Sequence, residues 1–185
     1  MSPNKQKKII IGVTGGIAAY KICLLINQLK REGCEIKVIM TKAATKFVSP
    51  LTFQTLSNNP VYLDLFDVID KTKVEHIDLA DWCDVFVLAP ATANTISKIA
   101  LGIADNLLTT VIMALPKKTP IIIAPAMNVH MWKNSIFQKN LQVLKKYKNK
   151  YIVVSPQKGI LACGYEGEGK LAKIEDVIKV IKRIK

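Results

Sequence analysis

An amide and a pair of hydroxyls stand directly after two apolar runs of the chain. Asn128 follows residues 121–124, and a Thr-Ala-Asn-Thr sequence at 92–95 follows residues 84–89. Both runs are short and apolar, which predicts buried strands. Because the carboxyl ends of parallel strands border the ligand crevice of an open α/β sheet, these side chains are expected to converge on a phosphate or on the edge of a heterocycle.

A glycine turn near the start of the chain offers a second ligand site. The β-branched run 8–14 ends in Gly15 and Gly16, and apolar residues then recur at helical spacing over 17–29. Glycine lets the backbone approach a ligand, and the first amides of a helix lack internal partners, so this turn can hold a phosphate. It lacks the spacing of a dinucleotide-binding turn and of a P-loop. A tight turn without a ligand therefore stays an alternative.

Two further residues could take part in proton transfer. His76 lies between a polar connection, 67–75, and a short predicted helix, 77–82. It can titrate near neutral pH, although a surface histidine that caps a turn fits equally. Cys163 lies in a glycine-rich segment, 157–172, which predicts a mobile flap over a ligand. A thiol there has little core to be buried in, so a chemical role competes with simple packing.

Thr41 ends a strand predicted at 35–41 and precedes a helix predicted at 43–56. Its hydroxyl could bind a ligand at the same edge of the sheet. Capping of the following helix is the simpler interpretation.

Strand and helix patterns alternate along the whole chain, which predicts a parallel sheet covered on both sides. The expected fold is a single Rossmann-like (flavodoxin-like) α/β domain over residues 1–185, with a central six-stranded parallel sheet flanked by helices. The predicted strands are 8–14, 35–41, 61–66, 84–89, 121–124 and 151–154. A helix is expected to continue through 102–115, and a docking helix over 174–181 closes the fold.

Composition narrows the functional classes. The chain has 185 residues, 50% of them hydrophobic, and no apolar run approaches the roughly 20 residues of a membrane span. We therefore expect a cytoplasmic protein without a membrane partner. Its four cysteines and two histidines show no metal-site spacing, so no metal and reduced thiols are expected. Lysines account for most of the net charge of +13 and are spread over nearly every helix, which favours a solvated surface or an anionic small substrate over nucleic acid.

Four groups of residues, in this order, resemble the motifs of the flavin-containing cysteine decarboxylases. They are 76–80, 90–95, 125–128 with Met131 and Trp132, and 162–164 with 167–170. The resemblance covers about residues 8–171 and is strongest to the phosphopantothenoylcysteine decarboxylase branch of the family.

The resemblance implies an FMN-dependent, redox-neutral decarboxylation of 4'-phospho-N-pantothenoylcysteine to 4'-phosphopantetheine in coenzyme A biosynthesis. In this family the flavin oxidises the cysteinyl thiol to a thioaldehyde. The C=S group then accepts electrons as the carboxylate leaves, and the reduced flavin finally reduces the product.

The family pattern also implies roles for residues of this chain. His76 is the base or charge partner in thiol oxidation, Asn128 binds the departing carboxylate, and Cys163 donates the last proton. Substrate contacts are implied for Asn128, Ala162 and Lys170. Flavin contacts are implied for Gly15, Gly16, Ile17, Thr41, Thr92, Ala93, Asn94, Thr95 and Ala126. Relatives often have Ser at position 92 and Arg at position 170, and the residues here keep the hydroxyl and the cation. His130, Met131 and Trp132 are expected to be structural.

The family further implies a homotrimer or higher homo-oligomer with sites at subunit boundaries. A synthetase domain that is often fused to this domain is absent here, so the chain is either a stand-alone decarboxylase or a fragment. Two alternatives stay open. One is a peptidyl-cysteine decarboxylase of a bacteriocin pathway, and the other is a non-catalytic FMN-binding regulatory subunit. The presence of His76, Asn128 and Cys163, without an acidic tail, favours the enzyme.

Overall fold

The computed structural model describes residues 6–66, 75–162 and 164–184, and its centre is a six-stranded parallel sheet. The strand order is β3-β2-β1-β4-β5-β6. The strands are β1 Lys8–Val13, β2 Glu35–Met40, β3 Val61–Tyr62, β4 Val85–Ala91, β5 Ile121–Pro125 and β6 Tyr151–Val153. This is the Rossmann order, and without the two-residue edge strand β3 it becomes the flavodoxin order. The predicted fold class is confirmed.

The strands read as apolar runs because helices cover both faces of the sheet. All seven residues of β4 are buried, as expected for a central parallel strand. The helices are α1 Ile22–Arg31, α2 Pro50–Ser57, α3 Glu75–Trp82, α4 Ala93–Leu101, α5 Leu107–Ala114, α6 Val129–Lys133, α7 Ser135–Lys145 and α8 Ile174–Arg183. Helices α1, α2 and α8 pack on one face, and α3, α4, α5 and α7 pack on the other.

Proline divides the helix that was predicted at 43–56. The structure has a short 3-10 turn, Ala44–Lys46, and α2 begins only at Pro50. Ser49 has extended backbone angles, and its hydroxyl accepts a hydrogen bond from the Leu51 N–H at 3.3 Å. Proline disfavours a helical residue before it but suits the first position of a helix. The prediction of one continuous helix was wrong for this reason.

The helix predicted through 102–115 is likewise interrupted. Helix α4 ends at Leu101, and the next residue, Gly102, has a φ of +70° in the left-handed region. Helix α5 begins after Asn106, which forms a capping box with Thr109. The third strand is also shorter than the predicted 61–66, because only Val61 and Tyr62 pair with β2.

The predicted flap, 157–172, contains an antiparallel hairpin of β7 Gln157–Ile160 and β8 Glu166–Lys170. Leu171 and Ala172 follow β8 and are buried in the core. The hairpin therefore continues directly into the packed part of the domain, while its mobility stays a prediction. Within the three described ranges, no helix is long and apolar enough to span a membrane.

Candidate functional site

A cavity of about 450 Å³ opens at the carboxyl edge of the sheet. The strand order reverses between β1 and β4, and the segments that follow these two strands form part of its wall. Such a switch point is the usual ligand crevice of doubly wound sheets. The cavity brings together nine of the predicted site residues, which are Gly15, Gly16, Ile17, Thr92, Ala93, Ala126, Asn128, Ala162 and Lys170.

The two glycines after β1 have different physical roles. A Cβ on Gly15 would lie 2.4 Å from the Cβ of Ala43, so packing against the next βα turn requires a glycine there. A Cβ on Gly16 would meet no atom within 4 Å, and Gly16 lines the cavity. Gly15 therefore fixes the position of the turn, and Gly16 leaves the backbone accessible to a ligand.

Thr14 joins this turn to the corner after β4, a contact that the sequence interpretation missed. Its side chain is 1% exposed, and its hydroxyl donates to the Pro90 carbonyl at 2.5 Å. The same oxygen accepts from the Thr92 N–H at 3.0 Å. A hydroxyl at the end of an apolar run was the signal available in the sequence. Thr14 thus holds two walls of the cavity in register.

The Thr92 side chain caps α4 at that corner. Its hydroxyl accepts from the Thr95 N–H at 3.4 Å and donates to the Thr95 hydroxyl at 3.2 Å. Thr95 is buried and, like Asn94, does not line the cavity. The corner therefore presents Thr92, Ala93 and the start of a nine-residue helix to the ligand space.

The side chain of Asn128, just after β5, forms a hydrogen bond that fixes its orientation. Its Oδ1 accepts from the His130 N–H at 2.8 Å and caps α6. This contact defines which end of the amide is the acceptor and which carries the N–H donors. Asn128 lines the cavity, and the backbone before it is fixed to β4 by a 3.1 Å hydrogen bond from the Ala126 N–H to the Ala91 carbonyl.

The hairpin is docked on this motif through backbone contact. The Met127 N–H donates to the Gly169 carbonyl at 2.9 Å. A Cβ on Gly169 would lie 2.2 Å from the Met127 carbonyl oxygen, and one on Gly167 would lie 2.6 Å from Val129 Cγ2. Glycine at these two positions is what allows β8 to lie against the segment that carries Asn128.

Side chains of α6 reinforce this docking. The indole N–H of Trp132 donates to the Glu168 carboxylate at 3.0 Å. The rings of His130 and Tyr165 meet edge to face at 5.5 Å between centroids. These contacts give structural roles to His130 and Trp132, whereas Met131 lines the cavity itself.

The electrostatic character of the cavity suits an anion. Lys21 and Lys170 line it, and no Asp or Glu belongs to its wall within the described part of the chain. The remaining wall is mainly apolar, with Ile17, Ala93 and Ala126 among its residues. Across the same described ranges, no cluster of three or more His, Cys, Asp or Glu side chains could bind a metal ion.

Some predicted site residues lie elsewhere. The Thr41 hydroxyl accepts from the Ala44 N–H at 3.3 Å, which is the capping role considered from the sequence. His76 lies in the first turn of α3, and neither it nor Thr41 is part of the described cavity wall. Cys163 lies outside the described residues, directly after Ala162 of the wall.

Comparison with known proteins agrees with this geometry. Residues 1–184 match the family model described as Flavoprotein. A probable phosphopantothenoylcysteine decarboxylase of Streptococcus mutans is 46% identical over 176 residues, which cover 95% of this chain and 97% of that protein. A coenzyme A biosynthesis bifunctional protein of Bacillus subtilis is 46% identical over 178 residues, which cover 96% of this chain but 43% of that protein. The chain thus spans less than half the length of that bifunctional relative.

Two solved structures share the fold over nearly the whole chain. One is a PPC decarboxylase variant in complex with pantothenoylaminoethenethiol, with a TM-score of 0.84 and 32% identity, covering 97% of this chain and 98% of that one. The other is an FMN-binding protein with a TM-score of 0.81 and 32% identity, covering 97% of this chain and 96% of that one.

Proposed function

Since the chain belongs to the Flavoprotein family, we propose that it binds FMN and acts as a phosphopantothenoylcysteine decarboxylase. In this role it is a carboxy-lyase that converts 4'-phospho-N-pantothenoylcysteine to 4'-phosphopantetheine in coenzyme A biosynthesis. One observation carries the proposal. The switch-point cavity unites the glycine turn, the corner after β4, Asn128 and the hairpin on one wall.

The described wall fits a flavin nucleotide. The cavity volume of about 450 Å³ lies within the range of ligand pockets. The apolar wall residues Ile17, Ala93 and Ala126 suit a flat aromatic ring system. The backbone at Gly16 and the amino terminus of α4 suit a phosphate, because both present N–H groups that lack helical partners. FMN would supply reversible two-electron oxidation of the substrate thiol, so that the overall reaction consumes no redox equivalents.

Asn128 is suited to hold the substrate carboxylate. Its amide is oriented by the His130 N–H, and the amide N–H donors can bind a carboxylate without placing a full positive charge beside it. A neutral donor is appropriate because the carboxylate leaves as uncharged carbon dioxide. A strong ion pair would stabilise the bound substrate more than the transition state.

The hairpin provides the remaining substrate contacts. Lys170 at the end of β8 and Ala162 at the hairpin turn line the cavity, so a cation and a backbone segment face the substrate. We assign the Lys170 ammonium to the anionic part of the substrate. Proton donation by Cys163 is inferred from the family pattern and from its place next to Ala162.

A second copy of the chain is expected to complete the site, because His76 is not part of the described wall. Ile17, Tyr20 and Leu24 are 58%, 55% and 61% exposed and lie on one side of the turn and helix at the cavity mouth. A row of exposed apolar side chains marks a protein contact. We therefore propose a homotrimer or higher homo-oligomer in which a neighbouring subunit supplies His76. A cytoplasmic location without nucleic acid or membrane partners stays a prediction.

The test combines cofactor identification with substrate choice. The purified protein should be yellow and should release FMN on denaturation. It should liberate carbon dioxide from phosphopantothenoylcysteine in preference to a cysteine-terminated peptide offered at the same concentration. A colourless protein that stays inactive after FMN is supplied would refute the proposal. Preference for the peptide would favour a peptidyl-cysteine decarboxylase.

A further inference from the structure

A second cavity, of about 1010 Å³, lies at the opposite edge of the sheet. It is bordered by the end of α4, the loop before β5 and the segment that joins α7 to β6. Its floor includes Leu115 and Leu144, which are almost fully buried. The proposed flavin site does not use this cavity.

The cavity lies within the most basic region of the chain. Residues 106–165 contain nine lysines and no Asp or Glu, so this third of the sequence carries most of the net charge of +13. Four of these lysines line the cavity, namely Lys117, Lys146, Lys148 and Lys150. A field of one sign over a concave surface attracts an anionic partner.

The Lys150 side chain has a structural role, because it binds backbone carbonyls of the loop before β5. Its ammonium donates to the carbonyls of Leu115, Pro116 and Thr119 at 3.2, 2.7 and 2.9 Å. These three bonds use its three donors, and burial lowers the pKa of the amine. The cations that remain for a ligand are Lys117, Lys146 and Lys148, which lie at the rim. Such an arrangement lacks the convergent donors of a phosphate site and fits an extended acidic surface.

Exposed apolar side chains adjoin the cavity. Val143 lies in the last turn of α7 and Tyr147 lies just beyond its end, with 39% and 61% of their surfaces exposed, and Leu101 across the cavity is 66% exposed. The Tyr147 ring also packs edge to face on Tyr151. An apolar centre surrounded by charge is the usual composition of a protein interface.

We propose that this surface, here called the lysine groove (Leu101, Leu115, Lys117, Val143, Leu144, Lys146, Tyr147 and Lys148), docks an acidic amphipathic segment of another protein. An apolar side chain of the partner packs against the exposed side chains of Leu101, Val143 and Tyr147, and the partner's carboxylates face the rim lysines. Pairing of two grooves from copies of this chain is disfavoured, because it would bring lysine against lysine.

The probe is a synthetic helical peptide with leucines on one face and glutamates on the others. A scrambled peptide of the same composition distributes the leucines around the helix. Calorimetric titration of the FMN-loaded protein should show saturable binding of the amphipathic peptide, with a Kd on the order of 10 µM, and at least about tenfold weaker binding of the scrambled one.

Two double variants with the same change in net charge locate the contact. Lys146→Glu with Lys148→Glu should weaken binding at least about tenfold, because it replaces attraction by repulsion at the rim. Lys46→Glu with Lys173→Glu, at exposed positions outside the lysine groove, should change it less than about twofold. Tyr147→Ala should weaken binding without altering the rim charge. Decarboxylation by the Lys146/Lys148 variant should equal that of the wild type, which separates this test from that of the proposed function.

Four results would overturn the docking proposal. Equal affinity for the scrambled peptide would show that the groove attracts peptides only through its positive charge. Absence of saturable binding below about 1 mM would show that the groove is not a docking site. Displacement of the peptide by ATP or duplex DNA at low concentration would indicate a small polyanion or nucleic acid site. A change in oligomeric mass on Lys146→Glu with Lys148→Glu would make the groove a subunit contact.

Discussion

Gly169→Ala tests whether the hairpin is rigidly docked on the segment that carries Asn128. The φ of Gly169 is +144°, and the new Cβ would lie 2.2 Å from the Met127 carbonyl oxygen and 3.3 Å from its carbon. Both are backbone atoms, so no side-chain rotation relieves the overlap. Strand β8 must therefore move away by about 1 Å to reach ordinary van der Waals distance, which breaks the 2.9 Å bond from the Met127 N–H.

The magnitude follows from two contributions. A non-glycine residue in this backbone region costs about 1–3 kcal/mol, and loss of the Met127 hydrogen bond adds about 0.5–1.5 kcal/mol. Gly159→Ala is the matched control in the same hairpin. Its φ is +153°, and the nearest atom to the new Cβ is Lys170 Cδ at 3.9 Å, so it introduces the backbone strain without the overlap.

The two variants are compared in their unfolding free energy, in their proteolysis and in their KM for the substrate. Urea denaturation should show Gly169→Ala less stable than Gly159→Ala by about 1 kcal/mol or more. If the hairpin detaches locally instead, the difference should appear as faster proteolysis within 157–172 and as a larger rise in KM. Equal stability, proteolysis and KM for the two variants would refute the docking of β8 on Met127.

Four further predictions concern single side chains. Asn128→Asp should lower kcat/KM by at least about 100-fold, since a carboxylate would face the substrate carboxylate, and unchanged kinetics would remove the assigned role. Cys163→Ser should still release carbon dioxide but should leave its product unreduced, as mass spectrometry of the product would show. Full turnover by this variant would exclude the thiol as the proton donor. Thr14→Val should cost about 1–3 kcal/mol in denaturant unfolding and weaken FMN binding, because the hydroxyl that joins Pro90 and Thr92 is lost. The control is Thr45→Val at a half-buried position, where the hydroxyl donates only a solvent-exposed hydrogen bond to the Lys42 carbonyl, and it should cost less than about 0.5 kcal/mol. Burial raises the pKa of the Cys83 thiol from 9.0 to about 12, so folding favours the neutral thiol. Its contribution is complete below pH 9 and is lost between pH 9 and 12, and from pH 8 to 10.5 the wild type should lose about 2 kcal/mol more unfolding free energy than Cys83→Ala. Parallel pH profiles of those two proteins would contradict the burial effect.

The strands were predictable because burial on both faces leaves a direct record in the sequence. Residues 9–11 and 121–123 are consecutive isoleucines, and all of them are fully buried. Helix boundaries were harder to predict from the sequence. Apolar spacing continued through Ser49 and Pro50, but the backbone restriction imposed by proline decided where α2 begins.

Some features of the candidate site were likewise predictable from the sequence, and others were not. Asn128 and the corner at Thr92 were expected at the sheet edge, because they directly follow predicted strands. The bonds of Thr14 to Pro90 and Thr92 join residues that are 76 and 78 positions apart, and neither local spacing nor propensity contains such a pairing. The docking of Gly169 on Met127 depends in the same way on tertiary approach of the backbone.

The chemical balance of the wild-type reaction tests the central claim most directly. The FMN-loaded protein is mixed anaerobically with phosphopantothenoylcysteine, without a pyridine nucleotide, and carbon dioxide, organic product and flavin absorbance are followed together. The proposed function predicts equal amounts of carbon dioxide and 4'-phosphopantetheine over many turnovers, with the flavin oxidised at the end. Absence of carbon dioxide, or a requirement for an external reductant in every turnover, would contradict it.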